Sequence, residues 1–268
     1  MLRLCVAYDG SGFSGYQVQP GQRTVQGVLE SALGKLAKDE VRIRAAGRTD
    51  AGVHALGQVV SVNASSLEPA MVQRGMPALL PPDVAVLDAQ PADNDFDARH
   101  SARSRMYAYL LWCAGAPHPL YRKYAVWPRA AFDASLASRA LQAVVGTHDF
   151  SSFSRVRSDQ SPERTVLEAH AVADGPFVRI KVVAESFLHQ MVRSIVGTAI
   201  EIGAGRKPVA WMREVLEARD RSAAGPVAPA HGLTLVDVSY DGVEWPNRPA
   251  VTWPWSGLAY VNSQRGCA

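Results

Sequence analysis

The chain has 268 residues, 47% of them apolar and 20% charged, with a net charge of +3 and a pI near 8.8. That composition excludes disordered, collagen-like and fibrous classes and is enough for one large domain or two smaller ones. No apolar run reaches the length of a membrane span, Met1 to Tyr8 is too short and too soon polar for a signal peptide, and the cysteines Cys5, Cys113 and Cys267 lack ligand or disulfide spacing, so the expectation is a soluble, reduced, cytoplasmic protein with no metal and no membrane contact.

Leu2 to Tyr8 is an apolar run ended by Asp9-Gly10 and reads as a strand. A glycine-rich loop, Asp9 to Arg23, leads to Thr24, which caps a helix with Val25, Val28, Leu29, Leu33 and Leu36 on its apolar face. Val41 to Ala46 and Gln58 to Asn63 are predicted strands. A helix from Glu68 to Leu79 stops before Pro81-Pro82, and Asp83 to Ala89 is a further strand. This order, βαββαβ, is the ferredoxin-like arrangement.

A second round follows. Ser104 to Cys113 and Tyr124 to Trp127 read as strands, and Asp133 caps a helix that Gly146 ends. Thr165 to Ala173 and Phe177 to Ala184 are strands joined by Asp174-Gly175-Pro176. Ser186 opens a long helix, Pro208 to Arg219 is another, and Leu233 to Tyr240 is the last strand. The polar stretch Asp97 to Arg103 is the predicted boundary, giving domains 1–103 and 104–243 and a tail, 244–268, with Trp245, Trp253 and Trp255. The expected class is α+β: two ferredoxin-like domains whose antiparallel sheets flank a central active-site cleft.

Two stretches carry more chemistry than folding requires. Between the second and third predicted strands, Gly47 and Gly52 bracket a loop that presents Arg48, Thr49 and Asp50, with His54 just beyond. A simple hairpin turn needs only two residues such as Asn-Gly. By pattern alone the loop is either a decorated turn or a catalytic loop. The other stretch, Arg99 to Phe132, holds Arg99, Arg103, Arg105, Arg122, Lys123 and Arg129 without one acidic residue, interleaved with Tyr107, Tyr109, Trp112, Tyr121, Tyr124 and Trp127. Basic residues track phosphates and aromatic faces accept bases; the alternative is a strand face with snorkelling arginines over a core. Arg155 and Arg157 extend the same composition.

Gly47-Arg48-Thr49-Asp50-Ala51-Gly52-Val53-His54 resembles the signature of the tRNA pseudouridine synthase A family, a long motif with few degenerate positions. Phe96 to Ala102 together with Arg105-Met106-Tyr107-Ala108-Tyr109 resembles its second motif, Phe187 to Gly197 its third, and Gly232-Leu233-Thr234-Leu235 a further segment. The family usually carries Trp where Tyr16 stands. The likeness runs from about Tyr8 to Tyr240.

The resemblance implies that Asp50 is the nucleophile, that Tyr107 is the active-site tyrosine, and that Arg193 pairs with Asp50. Alternation places Tyr107 and Tyr109 on one strand face and does not choose between them. On the helix opened by Ser186, His189 and Arg193 are expected four residues apart on the face opposite the apolar stripe. Arg48 would fill the space left by a flipped nucleotide or hold its backbone. Leu233 or Leu235 would line the uracil pocket, with His54, Arg103 and Arg105 on the substrate side. The implied function is isomerisation of uridine to pseudouridine in the tRNA anticodon stem-loop, positions 38 to 40, by a homodimer needing no cofactor. Two alternatives stand beside it: a synthase of the same fold acting on another RNA, and a non-catalytic two-domain RNA-binding protein, against which the RNA-recognition-motif signature is missing. Attack by Asp50 at C6 or C1′, or proton abstraction at C2′, all remain open.

Overall fold

The computed structural model describes residues 1–154 and 161–248. Arg155, Arg157, Trp253, Trp255 and Cys267 lie outside the described residues. The described chain is mixed α and β, with mostly antiparallel strands and five α-helices. It divides into two compact units, the first made of Met1–Tyr107, Val183–Ser186 and Leu233–Arg248, the second of Ala108–Val182 and Phe187–Gly232. This division is discontinuous, unlike the sequence reading: the last strand returns to the first unit.

In the first unit, β1 (Leu2–Tyr8), α1 (Val25–Ala37), β2 (Ile43–Ala45), β3 (His54–Val62), α2 (Pro69–Leu79) and β4 (Val84–Pro91) follow the expected βαββαβ order. Antiparallel β4-β1-β3 form the sheet, β2 pairs with one end of β3, and β9 (Leu233–Ser239) runs parallel to its other end, with His54 opposite Thr234 and Ala55 opposite Leu235. A strand flanked on both edges and covered on both faces is buried along its length, and any polar side chain in it needs an internal partner. Eight of the nine residues of β3 are buried. Thr24 caps α1 by accepting the Gly27 N–H, a bond that typically contributes about 1 kcal/mol, and Val25, Leu29, Ala32 and Leu33 are buried. Buried Glu30 ties α1 to β2 by accepting from Ile43 N at 3.1 Å. Pro69 begins α2, where a missing N–H costs nothing.

β5 (Ser104–Trp112) and β8 (Phe177–Ala184) each give part of their length to either unit. In the second unit the strand order is β5-β8-β7-β6, with β7 at Glu163–Asp174 and β6 at Gly146–Asp149. Three helices complete it: α3 (Ala134–Leu141), capped by Asp133 as expected, α4 (Met191–Gly203) and α5 (Trp211–Ala218). α4 buries ten of its thirteen residues, so it is a core helix rather than one with a solvated face.

Four local expectations are corrected. β3 starts at His54, not Gln58, because its first residues bond to β9, a distant partner. Tyr124 to Trp127 makes only an isolated bridge, Leu111 to Val126, since Trp112 and Tyr121 pack around Ala125 there. Gly146 opens β6 at φ 107 instead of merely ending a helix. The long helix begins at Met191: Gln190 is left-handed at φ 59, and Phe187 to His189 stay outside it. His189 and Arg193 therefore do not share a helix face.

Candidate active site

The Asp50 loop is held by two side chains of the first unit and by a backbone bond of its own. Tyr8 at the end of β1 and Thr49 share a hydroxyl hydrogen bond of 2.8 Å, with both residues buried. Gln58, fully buried in β3, donates to the Gly47 carbonyl at 2.7 Å. The Val53 N–H donates to the Asp50 carbonyl at 3.1 Å and closes the turn. Thr49 is thus pulled inward while Arg48 is exposed and Asp50 is half-buried at the crest. Strand-like alternation along Arg48, Thr49 and Asp50 produces this outcome: out, in, out.

The loop from Asp9 to Arg23 braces it from the side. Tyr16 N donates to the Thr49 carbonyl at 3.0 Å. Gly15, at φ 99, lies so close that a Cβ there would sit 3.2 Å from the Thr49 oxygen and 3.3 Å from the Ala51 nitrogen. At Gly10 a Cβ would run into the Val53 carbonyl. Both glycines are required by close approach of one backbone to another. The aromatic ring of Tyr16 is 2% exposed and lies 6.4 Å from that of Tyr8, which makes it core and not a platform for a base.

His54, expected on the substrate side, is buried beneath the loop. Its Nδ1 accepts the Gly10 N–H at 3.0 Å, which assigns the ring proton to Nε2. Asp9 Oδ1 is 3.2 Å from the same nitrogen, a contact that becomes an ion pair only in a doubly protonated ring. We favour the neutral ring, because one nitrogen cannot both accept from Gly10 and donate to Asp9. His54 thereby joins the Asp9 loop to the start of β3.

Tyr107 lies on β5, 8% exposed, and its hydroxyl would be 3.8 Å from a Cβ built on Gly47. Burial raises its pKa well above the usual phenol range; the nearby Tyr8 hydroxyl and Asp50 carboxylate disfavour its ionisation further, and the Arg105 guanidinium opposes them. Tyr107 is consequently a neutral phenol that can donate a hydrogen bond or present an apolar ring. Tyr109, on the same face, is fully buried and donates to the Pro229 carbonyl at 2.9 Å. The two tyrosines differ in depth, and Tyr107 is the one whose hydroxyl lies beside Gly47.

Leu233 and Leu235 point to one side of β9, 5% and 0% exposed. In the second unit Arg193 is half-buried on α4, where its Nε donates to the Ala228 carbonyl at 2.8 Å and its own carbonyl accepts from Ala228 N at 3.0 Å. Exposed His189 precedes the helix, its carbonyl accepting from Ser154 Oγ at 2.8 Å.

The basic stretch is not the uniform surface its composition suggested. Exposed Arg103 has a counter-charge after all, bonding Asp241 from far along the chain. Arg105 is 7% exposed and turned inward, so it is unavailable to phosphate. Trp112 and Tyr121 pack with Phe177 at ring-centroid distances of 4.9 and 5.1 Å, as core. Arg99, Arg122, Lys123 and Arg129 are exposed. Among the described residues no group of three potential metal ligands occurs, and no helix is long and apolar enough to cross a membrane.

The family model described as tRNA pseudouridine synthase matches residues 4–101 and 140–241, which takes in the whole Asp50 loop. The chain belongs to the tRNA pseudouridine synthase family. It is 43% identical to a tRNA pseudouridine synthase A of Geobacillus kaustophilus (strain HTA426), over 90% of this chain and 94% of that one. Identity is also 43% to the protein of the same name from Ralstonia nicotianae (strain ATCC BAA-1114 / GMI1000), over 96% of each, and 44% to that of Bordetella petrii (strain ATCC BAA-461 / DSM 12804 / CCUG 43448), over 89% and 91%. As a member of the family the chain is an isomerase of uridine in tRNA.

Proposed function

We propose that this pseudouridine synthase modifies the anticodon stem-loop, positions 38 to 40, and that Asp50 is its nucleophile. The observation that carries the reading is the Gly47–His54 loop: Thr49 and the Gly47 carbonyl are held by hydrogen bonds to buried side chains, and Asp50, the loop's one acidic residue, is left half-buried at the crest. The reaction breaks the bond from C1′ to N1, rotates the uracil, and forms the bond from C1′ to C5, from which the proton is then lost. A nucleotide must first leave its stack, at roughly a few kcal/mol. Exposed Arg48, beside Asp50, is suited to the vacated space or the flipped backbone. Tyr107 supplies a neutral ring against the uracil. Arg193 takes the role that its motif match implies, and its planar guanidinium is suited to a carboxylate or a phosphate. Leu233, which keeps some accessible surface where Leu235 keeps none, lines the uracil pocket.

The working form in this reading is a cytoplasmic homodimer across which the tRNA lies, each chain built from two ferredoxin-like halves. The order β4-β1-β3-β2 of the first βαββαβ round supports the first half. The test is incubation of the protein, without cofactor, with unmodified tRNA transcripts and mapping of pseudouridine by position. Pseudouridine confined to positions 38 to 40 is expected. Modification elsewhere, or of another RNA only, would overturn the anticodon assignment.

A further inference from the structure

We propose that Arg105 is a positioning residue for the isomerisation: one buried guanidinium gathers the backbone that leads into the Asp50 loop and into the segments around it. Composition placed this arginine among phosphate ligands, but its geometry is that of an internal hub. Nε and one terminal nitrogen donate to the Ala46 carbonyl at 3.3 and 3.0 Å. The same terminal nitrogen donates to the Arg99 carbonyl at 2.5 Å, and the other donates to Ala102 at 3.3 Å and to Glu185 at 2.5 Å. These five bonds use all five N–H groups that a guanidinium has. None goes to a carboxylate.

The four acceptors are informative. Ala46 immediately precedes Gly47-Arg48-Thr49-Asp50, so fixing its carbonyl fixes the entry of the catalytic loop. Arg99 and Ala102 belong to the irregular segment before β5, whose carbonyls have no ladder to join. Glu185 directly follows β8, just ahead of the motif from Phe187 to Gly197. Arg105 itself stands two residues before Tyr107 on the same face of β5, both buried. One planar cation thus joins the roots of three sequence motifs and the strand carrying the tyrosine.

A buried charge is costly unless its hydrogen bonds are complete. Among the described residues its partners are all backbone carbonyls, and burial lowers the pKa of this guanidinium from its ordinary value, which still leaves it charged. Lysine could not replace it. An ammonium offers three donors from a single point and cannot reach carbonyls spread around a plane.

The test compares the full-length protein with Arg105→Lys and Arg105→Ala. Single-turnover rates are measured with tRNA saturated by enzyme, alongside tRNA affinity as a function of salt. A displacement of about 1 Å at the reacting group can cost on the order of 100-fold in rate. A loss of that order is expected in both variants, with affinity within about threefold of the parent and an unchanged salt slope, because no phosphate contact is lost. Alanine keeps Cβ, so millimolar ethylguanidinium restores the missing atoms; it should recover activity in Arg105→Ala, whereas ethylammonium, of equal charge, should not. Parent-like rates in Arg105→Lys would overturn the proposal, as would a salt slope lowered by about one unit, the mark of a phosphate contact. Should both variants fail to fold and ethylguanidinium rescue neither folding nor rate, Arg105 would be a general support of the fold and the proposal would fall.

Discussion

Gly15→Ala isolates the bracing of the Asp50 loop from every group that performs chemistry. Two penalties are expected. The backbone there is at φ 99, where an L side chain is strained by about 1–3 kcal/mol. The new Cβ also meets backbone at 3.2 Å (Thr49 O) and 3.3 Å (Ala51 N), atoms that cannot swing aside as a side chain would. Alanine returns roughly 0.4–1 kcal/mol by restricting the unfolded chain. The net destabilisation is about 1–3 kcal/mol, or a fall of roughly 4–12 °C in Tm for a unit of this size.

What distinguishes this site from an ordinary glycine is where the strain goes. The pressed atoms flank Asp50 directly, so relief moves the carboxylate, and a shift near 1 Å costs on the order of 100-fold in rate. Gly21→Ala is the matched control: φ is 70, but nothing lies within 4 Å of the added carbon. It should lose some stability and keep its single-turnover rate. Thermal melts and single-turnover assays on both variants decide the matter. A Gly15→Ala protein with lowered Tm and parental rate would refute the claim that this loop positions Asp50.

Asp50→Asn keeps size and removes charge; isomerisation should vanish in a radiolabel-release assay while tRNA affinity stays near the parent value, since phosphate contacts supply most of it. Thr49→Val leaves the buried Tyr8 hydroxyl without its 2.8 Å partner, and denaturant melts should show a loss of roughly 1–3 kcal/mol together with a slower turnover. Arg103→Ala should leave stability within about 1 kcal/mol, because its pair with Asp241 is exposed, and should lower the salt slope of tRNA binding by about one unit. Asp88, fully buried, has ionisation opposed by burial but outweighed by donors from Asn247, Gln90 and Ala89, which hold its pKa below the usual carboxylate range. A depressed folded-state pKa contributes stability above the unfolded value near 3.9 that fades as pH falls through the folded value. Melts of Asp88→Asn should therefore diverge from the parent at neutral pH and converge as pH falls through the depressed folded value.

Local signals carried most of the first unit. Helical spacing marked α1, an apolar run ended by Asp9-Gly10 marked β1, and the bracketing glycines located the loop that bears Asp50. The failures share a cause, which is dependence on distant partners. The early start of β3 at His54 rests on β9, some 180 residues later, and no local pattern announces a parallel neighbour. The left-handed turn at Gln190 that delays α4 belongs to a residue type usually compatible with a helix.

The basic stretch teaches the sharper lesson. Composition treats six cations as equivalent, yet Arg103 and Arg105, separated by one residue, have opposite fates. Period-two alternation alone would have put them on the same face, with the same exposure. They differ because Arg103 precedes β5 while Arg105 lies within it. Once inside the strand, Arg105 shares the buried face of Tyr107 and must find internal acceptors for every N–H. Those acceptors are backbone carbonyls, which leave no trace in a sequence because every residue has one. A carboxylate partner could have been sought by type and spacing. A hub built on carbonyls becomes visible only in three dimensions, and for this reason an arginine that reads as a phosphate ligand instead binds the backbone that leads into the Asp50 loop.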